Sequence, residues 1–435
     1  MRIQELARWV ASISSIPQQV QQAAVRVVSD AVAAAIAGHQ LAGAVSGRRA
    51  AAEIWGQGTS SIWFTSQTGS LSTAAFANSM ATSILDLDDG HRAAAGHPGA
   101  AIVPSVLAAA ESLGISGGKA LTAIAIGYEV GIRVGAARDL RAVDTLVTGR
   151  WCGQGVAAAI GWLKADNAEQ IAEAMAIAGA IAPYMFVAEY TQVGNHTKEA
   201  IPFGAANGIL AGSLAANGFK GPLDILNHGS FDSSVLSHGN GQAWYIETTY
   251  FKPYSCCRWI HAPIDAILAL RGQFDPNDVL EIEVETFGRT MSLNNQVHPS
   301  SVQAAQYSTP FCVAAAAING AESLQPLSED LLADQRVLAL AAKVRLKVDP
   351  GLDAMFPAGV PGRIKIRTEK GILEKEVLAP KGEATNPMSW DELMTKLCAI
   401  SAPRLGSAET ARITEALTSL RDRLEIGPLL ECLSR

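Results

Sequence analysis

Three carboxylates and two imidazoles fall within a dozen positions of this 435-residue chain: Asp86, Asp88, Asp89, His91 and His97. A carboxylate beside an imidazole is the usual equipment of general acid–base chemistry. Each residue alone has a plainer reading, since Asp caps helices and His97-Pro98-Gly99 is a turn sequence. Together they exceed what a turn needs, and such a cluster is costly to bury.

Three further stretches carry polar groups among small or aromatic residues. Gly194–Gly208 holds His196 and Lys198 beside closely spaced small residues that let backbone approach a ligand. Lys198 there could bind a carboxylate or, desolvated, act as a base; a solvated lysine before a helix is the plainer alternative. Thr249–Asp265 holds Lys252, Tyr254, Arg258 and His261. Cys256 and Cys257 beside them read as packing residues, with a vicinal disulfide as the alternative. Tyr307 and Ser308 open an apolar run and could reach a site or serve as core and cap. Lys381–Met388 reads as a polar loop.

These side chains suit removal of a proton next to a carboxylate, followed by loss of a group or by reprotonation. Asp86, Asp88, His91 and His97 could ligate a divalent cation, but their spacing matches no standard loop, and no metal is expected. The chain carries no Gly-x-Gly-x-x-Gly, Walker, Gly-x-Ser-x-Gly or His-Glu-x-x-His pattern, so no cofactor is expected.

The elements that must position these groups are mostly helical. Small-residue helical runs cover 21–36, 72–85, 101–113 (stopping at Gly114), 119–138, 153–163 and 168–181. Asp30, inside the first, reads as a paired structural carboxylate, and Glu129–Arg133 as an i,i+4 pair. The period then changes to two. Residues 279–287, 344–348, 363–367 and 372–378 alternate apolar and charged positions, with Glu on the first run and Lys or Arg on the next two. They predict half-solvated strands with cross-strand charge pairs, separated by helices near 305–320 and 328–342. From Asp391 the helical pattern returns. The fold expected is mainly α: a large, discontinuous helical bundle over 1–265 and 391–435, and a small α+β domain over 266–390. The Thr249–Asp265 stretch falls at that boundary, where small-molecule sites tend to lie.

Composition narrows the partners. The chain is 49% hydrophobic and 17% charged, with net charge −7. No basic stripe suggests nucleic acid, and the longest uncharged stretches contain Gly, Pro or polar groups unsuited to a membrane span. Six cysteines without a Cys-x-x-Cys pattern suggest reduced, cytoplasmic usage.

The motifs together resemble the MmgE/PrpD family. They are Leu85-Asp-Leu-Asp-Asp89, His97-Pro-Gly-Ala, Gly127-Tyr-Glu-Val, the Lys198 segment with Gly-Ala-Ala-x-Gly, and Gly218-Phe-Lys-Gly-Pro222. Phe251-Lys-Pro-Tyr with Cys-Cys-Arg, His261-Ala-x-Ile-Asp265, Ala-x-Tyr-Ser and Pro380-Lys-Gly-Glu-Ala-Thr-Asn-Pro-Met-Ser389 complete the set. The family includes 2-methylcitrate dehydratase, cis-aconitate decarboxylase and iminodisuccinate epimerase. The resemblance implies a homodimer with a metal-free interdomain site for small polycarboxylates. It places Asp86, His97 and Lys198 at catalytic positions, with Lys198 and His97 as acid or base and Asp86 orienting His97 or holding it charged. His91, Lys252, Tyr254, Arg258, His261 and Tyr307 are then expected around the substrate, with Lys252 and Arg258 clamping carboxylates. Dehydratase and decarboxylase members carry a His shortly before the helix at 153–160. Here 144–153 has none, and Arg150 is expected to add a carboxylate contact instead. A lyase of the 2-methylcitrate dehydratase type is expected, with an epimerase or a non-catalytic polycarboxylate-binding dimer as alternatives.

Overall fold

The computed structural model describes residues 2–140, 142–185, 195–237 and 243–435. Its axis is α2, Gln18–Gly38, an Ala/Val run buried on almost every side from Ala24 onward. It is long and apolar enough to cross a membrane, yet 78% of its most apolar window is buried inside the helical core. After α1 (Arg2–Ser12), α3 (Ala42–Trp55) packs on α4 (Leu71–Ser83), which packs on α2 and is capped by the Ser70 side chain. Next come α5 (Pro98–Leu113), α6 (Gly117–Ala136), α7 (Gly149–Leu163), α8 (Ala168–Ala180) and α9 (Ile201–Ala216). Helix α5 begins three residues earlier than the apolar pattern indicated, because Pro98 supplies a preset first turn. Gly114 ends it in the left-handed conformation, as its position suggested.

Small residues bring α7 and α9 close together. A Cβ on Gly208 would lie 2.6 Å from the Gly153 carbonyl oxygen. Upstream, a Cβ on Gly149 would lie 2.4 Å from the Ala200 oxygen, so the start of α7 presses on the corner holding Lys198. A two-stranded hairpin, β1 (Ser60–Ile62) with β2 (Gln67–Gly69), was not foreseen; three-residue strands are too short to display a period of two.

The four alternating segments form one sheet: β3 (Val279–Thr286), β4 (Val344–Val348), β5 (Gly362–Thr368) and β6 (Gly371–Val377), ordered β4-β3-β5-β6. Strands β3 and β4 are parallel, and the other pairings are antiparallel. The register sets Glu285 opposite Lys347 on one side and Arg363 on the other. Glu285 accepts hydrogen bonds from Lys347 at 3.1 Å and Lys365 at 2.8 Å, the cross-strand pairs the charge pattern predicted. Helix α10 (His261–Leu270) already lies against β5 and β6, so the sheet region begins a few residues before 266. The helical runs near 305–320 and 328–342 are each split. They resolve into a turn at Val302–Ala305 before α11 (Thr309–Asn319), and a 3-10 turn at Asp330–Ala333 before α12 (Gln335–Ala341).

The C-terminal helices α13 (Trp390–Leu405), α14 (Ser407–Arg423) and α15 (Gly427–Leu433) follow. Helix α13 opens with a Ser389/Glu392 capping box and returns onto α2. Its Lys396 meets Asp30 at 2.6 Å and donates to the Leu87 carbonyl at 2.8 Å, with both charged groups buried. Asp30 is thus the paired carboxylate expected, and its partner also anchors the acidic loop. Replacing Lys396 by Met strands a buried carboxylate and should lower stability by about 3–5 kcal/mol in urea unfolding. A loss below about 1 kcal/mol would mean that the pair contributes little.

Candidate active site

The acidic loop leaves α4 at Asp86, whose φ is +54°, a left-handed conformation that Asp tolerates better than most residues. Asp89 anchors the loop: its carboxylate accepts from the Tyr128 hydroxyl at 2.5 Å and the Gly99 N–H at 3.0 Å. Gly99 is required there, since a Cβ would lie 2.6 Å from Asp89 Oδ1. Burial, reinforced by Asp30, pushes Asp89 up to about 8. Asp89 is therefore a structural acid rather than a site anion.

Asp86 is the electrostatic centre. Its Oδ1 receives Lys252 Nζ at 2.8 Å and lies 3.1 Å from Lys198 Nζ, and its carbonyl accepts from Lys252 at 2.9 Å. Burial opposes its charge, but the two ammonium groups outweigh burial and hold its carboxyl far below the usual range. His97 occupies the N-cap position of α5. Its Nδ1 is 3.2 Å from Asp88 Oδ2, and its Nε2 is 3.5 Å from both Asp86 Oδ1 and Glu199 Oε1. Carboxylates near both ring nitrogens favour the imidazolium form. Lys252 Nζ is also 3.2 Å from Nδ1. Lys252 gives protons to the Asp86 carbonyl and carboxylate, and it competes with Asp88 for Nδ1, where the donor depends on the ring tautomer. Burial and Lys252 press the His97 pKa downward, but Asp88 and Glu199 prevail and push it up to about 9.

Lys198 donates to the Tyr307 hydroxyl at 2.7 Å. Burial opposes its charge, yet Asp86, Glu199 and Asp88 raise its pKa above the ordinary lysine value. The corner that presents it is strained: Lys198, Glu199 and Ala200 have φ of 43°, 53° and 53°. Consecutive non-glycine residues in this region persist only where surrounding contacts impose them. Thr148 is one such contact. Its hydroxyl and N–H both donate to Glu199 Oε2, at 2.8 and 3.3 Å, while its hydroxyl oxygen accepts from the His97 N–H at 2.9 Å.

Asp86, His97, Glu199 and Tyr307 line a cavity of about 50 Å³, together with Arg92, Tyr250, Cys257 and Arg258. Arg92 and Arg258 both pair with Glu383 and both lie over the Tyr250 ring, 5.0 and 4.9 Å from its centroid. Arg258 is held further by the carbonyls of Lys381 and Pro380, at 2.9 and 3.2 Å. Asp86, Asp88 and His97 offer ligand atoms within 4.8 Å of one another. The oxygen Asp86 would give to a metal already faces two ammonium groups, so the donor set suits lysines better than a divalent cation.

The expected residues divide. Asp86, His97, Arg258 and Tyr307 meet at the cavity. Lys198 and Lys252 stand behind it, on Asp86. Lys252, fully buried, thus clamps a protein carboxylate rather than a substrate's. His91 is turned away to Thr248 at 2.9 Å, and burial lowers it to about 4, leaving it neutral. His261 lies behind Arg258, its Nδ1 3.1 Å from a guanidinium nitrogen; burial and that charge keep it neutral. Tyr254 donates to Asp265 at 2.8 Å, a bond that braces the arginine loop. Arg150, on the first turn of α7, donates to the Ala182 carbonyl at 3.1 Å and is not in the cavity wall. All six cysteines are free thiols, so no vicinal disulfide forms, and burial pushes Cys257 up to about 12.

Glu199, Thr148, Arg92, Tyr250 and Glu383 join the site without a signal in the sequence that marks them for it. Glu199 and Arg92 adjoin Lys198 and His91, which were singled out. Glu383 lay in a stretch read only as polar loop.

The MmgE/PrpD N-terminal domain family matches residues 4–242, and the MmgE/PrpD C-terminal domain family matches 254–422. The chain belongs to the MmgE/PrpD family. It is an enzyme of that family, and the cluster around Asp86 is its candidate active site. A cis-aconitate decarboxylase of Aspergillus terreus is 25% identical over 472 residues, covering 99% of this chain and 95% of the relative. A cis-aconitate decarboxylase-like protein, oryM, of Aspergillus oryzae is 25% identical over 474 residues, covering 99% and 96%.

Proposed function

We propose that this MmgE/PrpD enzyme is a cofactor-independent lyase that removes a proton α to a carboxylate of a small di- or tricarboxylate, as a 2-methylcitrate-type dehydratase does. The observation that carries this reading is a cationic His97 in the wall of a small cavity edged by Arg92 and Arg258. The relatives named cis-aconitate decarboxylase support a lyase acting on such acids. The two guanidiniums, linked through Glu383, would receive a substrate carboxylate. His97 would protonate the departing group. Lys198, entering as an ammonium, polarises the Tyr307 hydroxyl, which stabilises negative charge developing on the substrate carboxylate.

A second reading, epimerisation, draws support from two proton-bearing groups reaching the cavity from different elements, His97 and Tyr307. Without a leaving group, returning the proton from the other group inverts the α-carbon. A homodimer fits the exposed Phe203 and Leu210 on α9 and Ile54 and Trp55 at the end of α3. Six free thiols fit a cytoplasmic setting.

Ultraviolet absorbance tests the lyase reading. Incubation with citrate, 2-methylcitrate, cis-aconitate and iminodisuccinate should change the conjugated-alkene signal with at least one of the first three. No change with any of them, while iminodisuccinate interconverts its stereoisomers, would favour the epimerase.

A further inference from the structure

Proton abstraction needs an acceptor, and the two residues expected to supply one are both held protonated. Around His97 stand Asp88, Asp86 and Glu199, which outweigh the nearby Lys252 ammonium, and around Lys198 stand Asp86 and Tyr307. Tyr307 and Tyr250 are raised by burial, and Cys257 is a thiol. Among the described cavity-lining residues near His97, the anions are Asp86 and Glu199. Asp86 is engaged by two ammonium groups on one oxygen. Glu199 is fixed through Oε2 by Thr148 and turns Oε1 toward His97 and the cavity.

We propose that Glu199 is the general base of this enzyme, taking the substrate α-proton on Oε1 while His97 serves as the acid. The proposal rests on the lyase reading above and adds the missing half of its proton traffic. The C–H bond breaks to Glu199, whose carboxylate becomes a carboxylic acid. The electron pair forms the carbon–carbon double bond, and the β-hydroxyl leaves, taking a proton from the His97 imidazolium as water. Glu199 then returns its proton to neutral His97 across the 3.5 Å that separates Oε1 from Nε2, restoring both starting forms. Atoms and charge balance without another reactant. The strained corner at Lys198–Ala200 has a purpose on this account: it places Glu199 and Lys198 on the same site from adjacent positions.

Facing Glu199 are His97 from the acidic loop, Lys198 from its own turn, Asp86 from the end of α4 and Thr148 before α7. Burial opposes its charge, but His97 and Lys198 hold its carboxyl below the ordinary glutamate value. The free enzyme therefore has base and acid in working forms over the same broad range. kcat/KM should stay flat from about pH 5 upward and fall only as His97 titrates near 9. A lysine base would instead make activity climb toward alkaline pH.

The decisive comparison is Glu199→Gln against wild type and Glu199→Asp, with the turned-over polycarboxylate in deuterated buffer. The expected result is a kcat loss of roughly 10²–10⁴-fold in Glu199→Gln, with loss of α-deuterium exchange. Calorimetric affinity for tricarballylate should stay within about threefold, showing an intact site, and Glu199→Asp should recover part of the exchange. Exchange at the wild-type rate in Glu199→Gln would overturn the assignment. So would a loss that is entirely in KM. If wild type itself neither binds nor exchanges any polycarboxylate, the lyase reading fails, and this assignment fails with it.

Discussion

Asp86→Asn should abolish measurable turnover and lower the unfolding free energy by roughly 3–5 kcal/mol, the largest combined effect expected in this protein. Asn occupies a left-handed conformation as readily as Asp, so the φ of +54° survives and charge is what changes. The loss leaves Lys198 and Lys252 buried beside a neutral amide, and the imidazolium of His97 loses one of its anions. Denaturant unfolding at neutral pH checks the stability, and turnover of the active polycarboxylate checks the function. The wild-type chain carries a related signature. The folded-state pKa of Asp86 is depressed, so its contribution is present above the ordinary aspartate range and drains away as pH falls below it. In Asp86→Asn that part of the acid sensitivity should vanish. A variant as stable as wild type would show that the clamp is not a net stabiliser.

His97→Asn should reduce kcat by about 10²–10⁴-fold while leaving polycarboxylate binding largely in place. The amide keeps a donor near Nδ1 but cannot deliver a proton at the rate an imidazolium can. The pH dependence separates this role from a structural one. His97 is raised to about 9 in the folded protein from an ordinary value near 6.5, so it remains a proton donor across neutral pH. Its stabilising contribution is complete below about 6.5 and is lost as pH rises through about 9. Wild type should therefore lose both activity and stability through that window, and His97→Asn should lose neither further. A descending limb unchanged in His97→Asn would assign it to another group.

Much of the scaffold could be read from the chain because its signals are local. Alternation in β3, β4 and β5 exposes one charged face of a sheet, and Glu285 opposite Arg363 and Lys347 follows from it. The acidic loop, His97 and Lys198 stood out as costly polar groups in apolar surroundings, and the structure brings Asp86, His97 and Lys198 into one contact network. What could not be read was direction. His91 and His97 look alike in sequence, yet one turns to Thr248 and the other to the cavity. Lys252 and Arg258 are six residues apart, yet only the guanidinium reaches the cavity wall. Glu199 escaped attention because a glutamate after a lysine is an ordinary surface pattern. Its place in the cavity wall is decided by three left-handed residues that no local propensity predicts.

Proton NMR of wild-type enzyme in deuterated water, with citrate, 2-methylcitrate, cis-aconitate and iminodisuccinate stereoisomers, reads out removal of the α-proton itself. Deuterium is expected at the α-carbon of at least one of these acids, accompanied by new vinyl signals for a lyase. Deuterium without vinyl signals would assign the epimerase outcome to the same proton abstraction. No incorporation into any of them by folded protein would contradict the claim that this site removes a proton next to a carboxylate.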